Sequence, residues 1–243
     1  RRMVVHHLID THDVEESVEV VGYRDQARAA IEAVRSRGRT PLLVGGSGLY
    51  VQAVLDDLRF PGTDPSVRQR LEGELAQVGP EVLHGRLAAI DPAAAEAILP
   101  SNGRRIVRAL EVNEITGASF VATLGPAQPW TRSVRIGWDP GQEAVDRAIA
   151  ARVDLMWRDG FVGEVESLRE RLTRARTASR AVGYRQILDA LEAGDDPDAA
   201  REPTVVATRR LARRQRAWFR RDPRVHWLQS SSQVEQILGT LEI

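Results

Sequence analysis

The sequence predicts an α/β protein built on a parallel sheet and interrupted by an all-helical insertion. Three observations carry that expectation. The apolar run Thr40 to Val44 leads into Gly45-Gly46-Ser47-Gly48 and then a helical pattern through Leu49, Ala53 and Val54, which is the strand, glycine turn, helix order of an open α/β sheet. From Thr63 onward come helix-start marks only, at Asp64-Pro65, Gly79-Pro80, Asp91-Pro92 and Ser101, with no strand pattern before about Ala118. Alternation returns at Arg132 to Trp138, and Asp139-Pro140 then opens a helix with Val145, Ile149, Val153 and Met156 on one face.

The remaining elements follow in order. Val4 to Asp10 reads as a short strand. Tyr23 to Arg37 reads as a helix, with Ala27, Ile31 and Val34 on one stripe and Gly38 as its stop. Thr40 to Val44 is expected to be a buried strand, and Gly125-Pro126-Ala127-Gln128-Pro129 a linker. The last helix is placed from about Pro203 to Arg220, and Asp222-Pro223 turns the chain into a short strand, Val225 to Leu228. Residues 1–62 are therefore expected to form the first part of the α/β core, 63–125 the helical insertion, and 126–243 the second part of the core with an arginine-rich C-terminal helix.

Composition removes several chemistries. The 243 residues are 42% apolar, enough for a substantial core. No apolar stretch approaches the roughly 18 residues of a membrane span, and Arg1-Arg2 is not followed by a signal-peptide core, so the expectation is a cytoplasmic protein with no membrane partner. Without cysteine there is no disulfide, thiolate catalysis or cysteine-ligated zinc. His6, His7, His12, His84 and His226 are too scattered for a helix-borne metal motif. The formal charge is zero, yet all 34 basic residues are arginine. A chain without lysine contains no G-x-x-x-x-G-K-S/T phosphate loop and no Schiff-base lysine. Its arginines can clamp anions, stack on bases or solvate a surface.

Five constellations could carry chemistry. Gly45-Gly46-Ser47-Gly48 could lay backbone N–H groups against an anion at a helix start, with the Ser47 hydroxyl facing a ligand; a plain tight turn is the other reading. Arg104 and Arg108 lie one turn apart, flanked by Arg105, and could hold adjacent phosphates or form a solvated face paired with Glu111 and Glu114. Arg152 falls on the stripe of Val145 and Ile149, where it must meet an anion or snorkel outward. Ser179 to Gln186 sets Tyr184 between Arg180 and Arg185, a composition suited to stacking on an exposed base. Arg209, Arg213, Arg216 and Arg220 follow helical spacing as one basic row, beside Arg210, Arg214 and Arg221, which suits a polyanion or a solvated face.

Taken in order along the chain, these segments resemble the tRNA dimethylallyltransferase family. The resemblance rests on His6-His7-Leu8-Ile9-Asp10, on Pro41 to Tyr50, on Arg104-Arg105-Ile106-Val107-Arg108-Ala109-Leu110-Glu111-Val112, on Ala181 to Gln186 and on Thr208 to Arg220. It implies a P-loop-NTPase-like parallel-sheet core with a helical insertion. It also implies transfer of a dimethylallyl group from dimethylallyl diphosphate to N6 of the adenosine 3′ of the anticodon, with magnesium and release of pyrophosphate. By position, the resemblance gives contact with the tRNA anticodon arm to Ser47, to Arg68, to Arg104, Arg105, Ile106, Val107 and Arg108, and to Arg180, Ala181, Val182, Gly183, Tyr184 and Arg185; Arg152 matches an arginine that handles the diphosphate. Members of the family begin with a strand and lysine-bearing phosphate loop, then an acidic segment whose aspartate is the general base. Neither motif is found in these residues, so the expected activity is that of the complete protein, as a monomer. An inactive tRNA-binding remnant, and a nucleotide-binding protein using the Gly45 to Gly48 turn, are the competing readings.

Overall fold

The computed structural model describes residues 4–121, 128–175, 177–230 and 232–233. Its apolar residues collect into separate cores, and the chain divides into two compact units, one of Leu55–Thr131 and one of Arg1–Val54 with Arg132–Ile243. The expected insertion, 63–125, is narrower than the first of these. Most of the expected linker, residues 125–127, lies outside the described residues.

In the larger unit, α1 (Val20–Arg35) buries Ala27 and Ile31, one helical turn apart, and α2 (Gly48–Leu55) buries Ala53 and Val54. The two are tied through polar ends. The Arg28 guanidinium donates to the carbonyls of Ala53 (3.2 Å) and Val54 (3.1 Å), which have no acceptor role left within α2. Tyr50 packs its ring 5.2 Å from that of Tyr23 and donates its hydroxyl to the Val18 carbonyl.

Two expected strands are not formed. Val4 to Asp10 runs through bends, with Leu8 (φ 58) and Asp10 (φ 57) in the left-handed region, which breaks the extended geometry a ladder requires. Thr40 to Val44 is neither a strand nor buried: Leu42 is 85% and Val44 81% exposed. Its exposure still alternates, Pro41 and Leu43 half-buried against Leu42 and Val44 open, so the chain is laid out with period two but no neighbouring strand bonds it among the described residues.

The other unit is helical, with α3 (Pro65–Ile90), α4 (Pro92–Ala97) and α5 (Gly103–Thr116). Asp64 caps α3 by accepting from the N–H groups of Ser66 (2.8 Å) and Val67 (3.2 Å), with Pro65 at the position where a missing N–H is harmless. The two helices expected on either side of Gly79-Pro80 form one run with a break at Gly79 (φ 79, ψ 167). Leu71 and Leu87 from α3 and Ile106 from α5 are fully buried in a core completed by Leu83, Ala94, Ile98, Ala109 and Leu110. Each of the large residues contributes roughly 1.5–3 kcal/mol by burial. Asp91 fastens the far end: it caps α4 through the Ala94 N–H and accepts from Asn113, Ser119 and the Phe120 N–H.

After this unit, β1 (Arg135–Trp138) and β2 (Val225–Leu228) pair in parallel, with Arg135 opposite Val225 and Trp138 opposite Leu228. The Asp139 N–H extends the ladder by one bond, to the Leu228 carbonyl at 2.8 Å. Between the strands run α6 (Gln142–Arg158), α7 (Phe161–Ser167), α8 (Arg169–Arg174), α9 (Tyr184–Ala193) and α10 (Arg201–Phe219). Ile149 and Val153 of α6 bury against Val205 of α10, and a second cluster gathers Val165, Leu172 and Ile187. Pro203, the expected first residue of α10, lies within its first turn, where no N–H is needed. No described helix is long and apolar enough to cross a membrane.

Candidate nucleic-acid interface

The glycine turn before α2 is shaped by α10. A methyl carbon on Gly46 would lie 2.6 Å from Nε2 of Gln215, and one on Gly48 only 2.2 Å from Cδ1 of Trp218. Gly48 lies directly against the Trp218 ring, where an added methyl would force the ring or the start of α2 to shift, whereas the Gln215 amide beside Gly46 ends a flexible side chain. Ser47, between them, is exposed, and its hydroxyl has no partner among the described residues.

In the helical unit the arginines divide sharply. Arg104 and Arg105 are exposed on the first turn of α5 and make no ion pair among the described residues. Arg108 is turned inward: it donates to Glu111 Oε2 (2.7 Å) and to the carbonyls of Pro61 (2.6 Å) and Gly62 (3.1 Å). Arg68 donates to the same carboxylate oxygen at 2.5 Å, while the other, Oε1, accepts from the Thr63 hydroxyl (2.6 Å) and the Asp64 N–H (3.1 Å). Arg108 and Glu111 thus pair, but not as a solvated face, because Glu111 is fully buried. Burial alone would raise its pKa; the hydrogen bonds from Arg68, Thr63 and Arg108 outweigh that and bring it down to about 2. Ile106 and Val107 are buried core residues, so their side chains are closed to any ligand.

The segment around Tyr184 is likewise part-occupied. Arg180 and Ala181 are exposed, Val182 is half-buried, and Arg185 sits 3.6 Å from Asp189 with both side chains open to solvent. Gly183 is buried at φ 97. Tyr184 gives its hydroxyl to Glu164 and packs its ring 5.6 Å from that of Phe161, so it is held by its own unit. Desolvation and Glu164 push its hydroxyl up to about 12.

One expectation is corrected here and another is narrowed. Arg152 is exposed and unpaired among the described residues, although it was expected on the buried stripe. The buried arc of α6 centres between Ile149 and Val153, and a helix turns about 100° per residue, so Arg152 is carried to its flank. The basic row of α10 is partly matched by carboxylates. Arg216 (2.7 Å) and Arg220 (3.0 Å) converge on Asp139 Oδ2, while Arg209 and Arg213 lie 3.8 and 3.5 Å from Asp146. Burial would raise the Asp139 pKa, but the two arginines and the Gly141 N–H hold it below the usual carboxylate range. The arginines of this helix region left exposed and unpaired among the described residues are Arg210, Arg214 and Arg221. Their spacing puts them on one stripe, with half-exposed Trp218 beside it.

Sequence reasoning missed Asp139 and Asp146 as counter-charges, whose only signal was their place around the start of a helix, and Glu111 as a buried anion. Glu111 had a readable mark, lying one turn beyond Val107 on the apolar stripe of α5.

Fold and surface together define an α/β protein with a helical unit and several sets of guanidinium groups unpaired among the described residues, the equipment of a nucleic-acid-binding protein. The chain belongs to the IPP transferase family, whose model matches residues 1–222. It is 58% identical over 230 residues to a tRNA dimethylallyltransferase of Kineococcus radiotolerans, covering 94% of this chain and 72% of the relative. With the enzyme of the same description from Salinispora arenicola it shares 56% identity over 232 residues, 95% of this chain and 68% of the relative. Among solved structures it is similar to the tRNA isopentenylpyrophosphate transferase of Bacillus halodurans, at TM-score 0.66 and 34% identity over 98% of this chain and 77% of that one. A eukaryotic dimethylallyltransferase acting on tRNA, 22% identical, shares the fold at TM-score 0.68 over 90% of this chain and 56% of that one. The helix-rich α/β architecture with its small parallel sheet is thus that of a family of tRNA-modifying prenyltransferases.

Proposed function

We propose that the protein serves the dimethylallylation of tRNA at N6 of the adenosine 3′ of the anticodon. In that reaction the N6 amine forms a bond to C1 of the dimethylallyl group, the bond from C1 to the diphosphate oxygen breaks, pyrophosphate leaves, and the amine loses one proton. The observation that carries the reading is the sorting of arginines into paired and free. Arg104, Arg105, Arg180, Arg210, Arg214 and Arg221 keep their guanidinium groups open to solvent with no counter-charge among the described residues, as contacts to an RNA backbone require. Arg68 and Arg108 stand beside the first pair and are half-exposed. Ser47 presents an uncommitted hydroxyl to the target nucleotide, and exposed Arg152 is available to the diphosphate. The residues 1–62, 63–125 and 126–243 then act as the first part of the core, an RNA-contacting insertion and the second part of the core.

Among the described residues no three histidine or acidic side chains converge as a metal-holding group. The competing reading is a tRNA binder without transfer chemistry. Two measurements test the pair. Binding of an anticodon stem-loop should fall steeply with salt, and Arg104→Ala/Arg105→Ala should lower the log–log salt slope by about one per lost phosphate contact; salt-insensitive binding would remove the phosphate-contact argument. Transfer from radiolabelled dimethylallyl diphosphate to that stem-loop separates enzyme from binder.

A further inference from the structure

We infer that Glu111 is a positioning residue for RNA, fixing Arg68 and Arg108 so that together they present one excess positive charge at the edge of the helical unit. The inference rests on the proposed reading that these arginines meet RNA. Its ground is the geometry of the carboxylate. One oxygen is anchored to the loop before α3, through the Thr63 hydroxyl and the Asp64 N–H. The other receives Arg68 and Arg108 together. One buried negative charge therefore faces two guanidinium groups, and the site is not neutral.

The arginines are not consumed by that arrangement. Arg68 keeps 37% and Arg108 25% of its side chain exposed, against none for Glu111. The Nε of Arg68 is buried and has no partner among the described residues. Arg108 is pinned by the Pro61 and Gly62 carbonyls as well, so its remaining donors point in a set direction. Arg104, one turn away on α5, has no counter-charge among the described residues. A held arginine beside a free one suits a phosphate backbone: the first loses little conformational freedom on binding, and the second adapts.

The test uses the sign of a charge change. Glu111→Gln removes a negative charge, so electrostatics alone would tighten binding of a fluorescein-labelled anticodon stem-loop. Positioning gives the opposite: about tenfold weaker binding by anisotropy and a salt slope reduced by about one. In an Arg68→Gln/Arg108→Gln background the same change should add nothing, because Glu111 acts only through those two side chains. Tighter or unchanged binding by Glu111→Gln, with the double arginine variant weakened, overturns the positioning role and leaves the RNA reading intact. An unchanged double arginine variant overturns the RNA reading at this site. Circular dichroism checks that each variant folds. If Glu111→Gln does not, Glu111→Asp keeps the charge on an arm too short to reach loop and arginines together; it should bind severalfold more weakly, and wild-type affinity overturns the inference. A merely structural glutamate would lower the melting temperature and leave affinity and salt slope of the folded protein unmoved, which also overturns it.

Discussion

Replacing Gly48 with alanine tests whether the glycine turn exists for α10 or for an anion. The added carbon would lie 2.2 Å from Cδ1, 2.3 Å from Nε1 and 2.5 Å from Cγ of Trp218. Comfortable carbon contacts begin near ~3.5 Å, so the ring must retreat by roughly 1 Å or the start of α2 must shift. Overpacking of this kind costs roughly 1–3 kcal/mol, and the better helix propensity of alanine offsets at most ~1 kcal/mol of it. The expected net loss is about 1–2 kcal/mol. Urea denaturation followed at 222 nm would measure it in four proteins: wild type, Gly48→Ala, Trp218→Ala and the double variant. With the ring gone the alanine should be harmless, giving a coupling energy of about 1–2 kcal/mol, well above the ~0.3–0.5 kcal/mol scatter of independent sites. If the two changes are additive, or Gly48→Ala alone is neutral, the close approach to Trp218 is not what requires glycine. An anion cradle would instead leave the free protein's stability unchanged and make any effect independent of Trp218.

Gly183→Ala should destabilise by roughly 2–4 kcal/mol, since φ is 97 and the new methyl would lie 2.7 Å from the Phe161 ring; a thermal melt within a degree or two of wild type would contradict this. Stability should fall on acidification between about pH 5 and pH 2. Glu111, ordinarily 4.5, is held at about 2 through Arg68, Thr63 and Arg108 against its burial; Asp222, ordinarily 3.8, is held at about 2 chiefly by Arg224. Both folded values lie below the unfolded ones, so the stabilisation is complete above the unfolded pKa and is lost as pH falls through the folded one, about 3 kcal/mol for Glu111. Melts from pH 6 to pH 2 should show the decline, and Glu111→Gln should flatten it. Asp139→Asn should release Arg216 and Arg220, raising the salt needed to elute the protein from heparin while lowering its melting temperature; unchanged elution would mean that those arginines were never restrained by Asp139.

Helices with chemical start marks were legible from sequence. Asp64-Pro65 and Asp91-Pro92 open α3 and α4 because each aspartate does accept from the first free N–H groups. Val225 to Leu228 was legible as a strand and found a parallel partner in β1. Thr40 to Val44 was not, because a strand is defined by its neighbours: Leu42 and Val44 alternate correctly yet have no ladder among the described residues. The arginine clusters were visible as composition, whereas their allocation was not. Arg216 and Arg220 meet an aspartate far back along the chain, and no local spacing announces that pairing. Arg152 shows the limit of counting on a helical wheel, where a shift of one turn's edge separates core from solvent.

The fan of arginines around Asp139 gives α10 an internal counter-charge. A phosphate that approached Arg216 or Arg220 would share them with a carboxylate already seated 2.7 to 3.0 Å away, which weakens their pull on stray polyanions. Part of the charge of the 34 arginines is thus balanced inside the fold, and what a polyanion meets is the remainder.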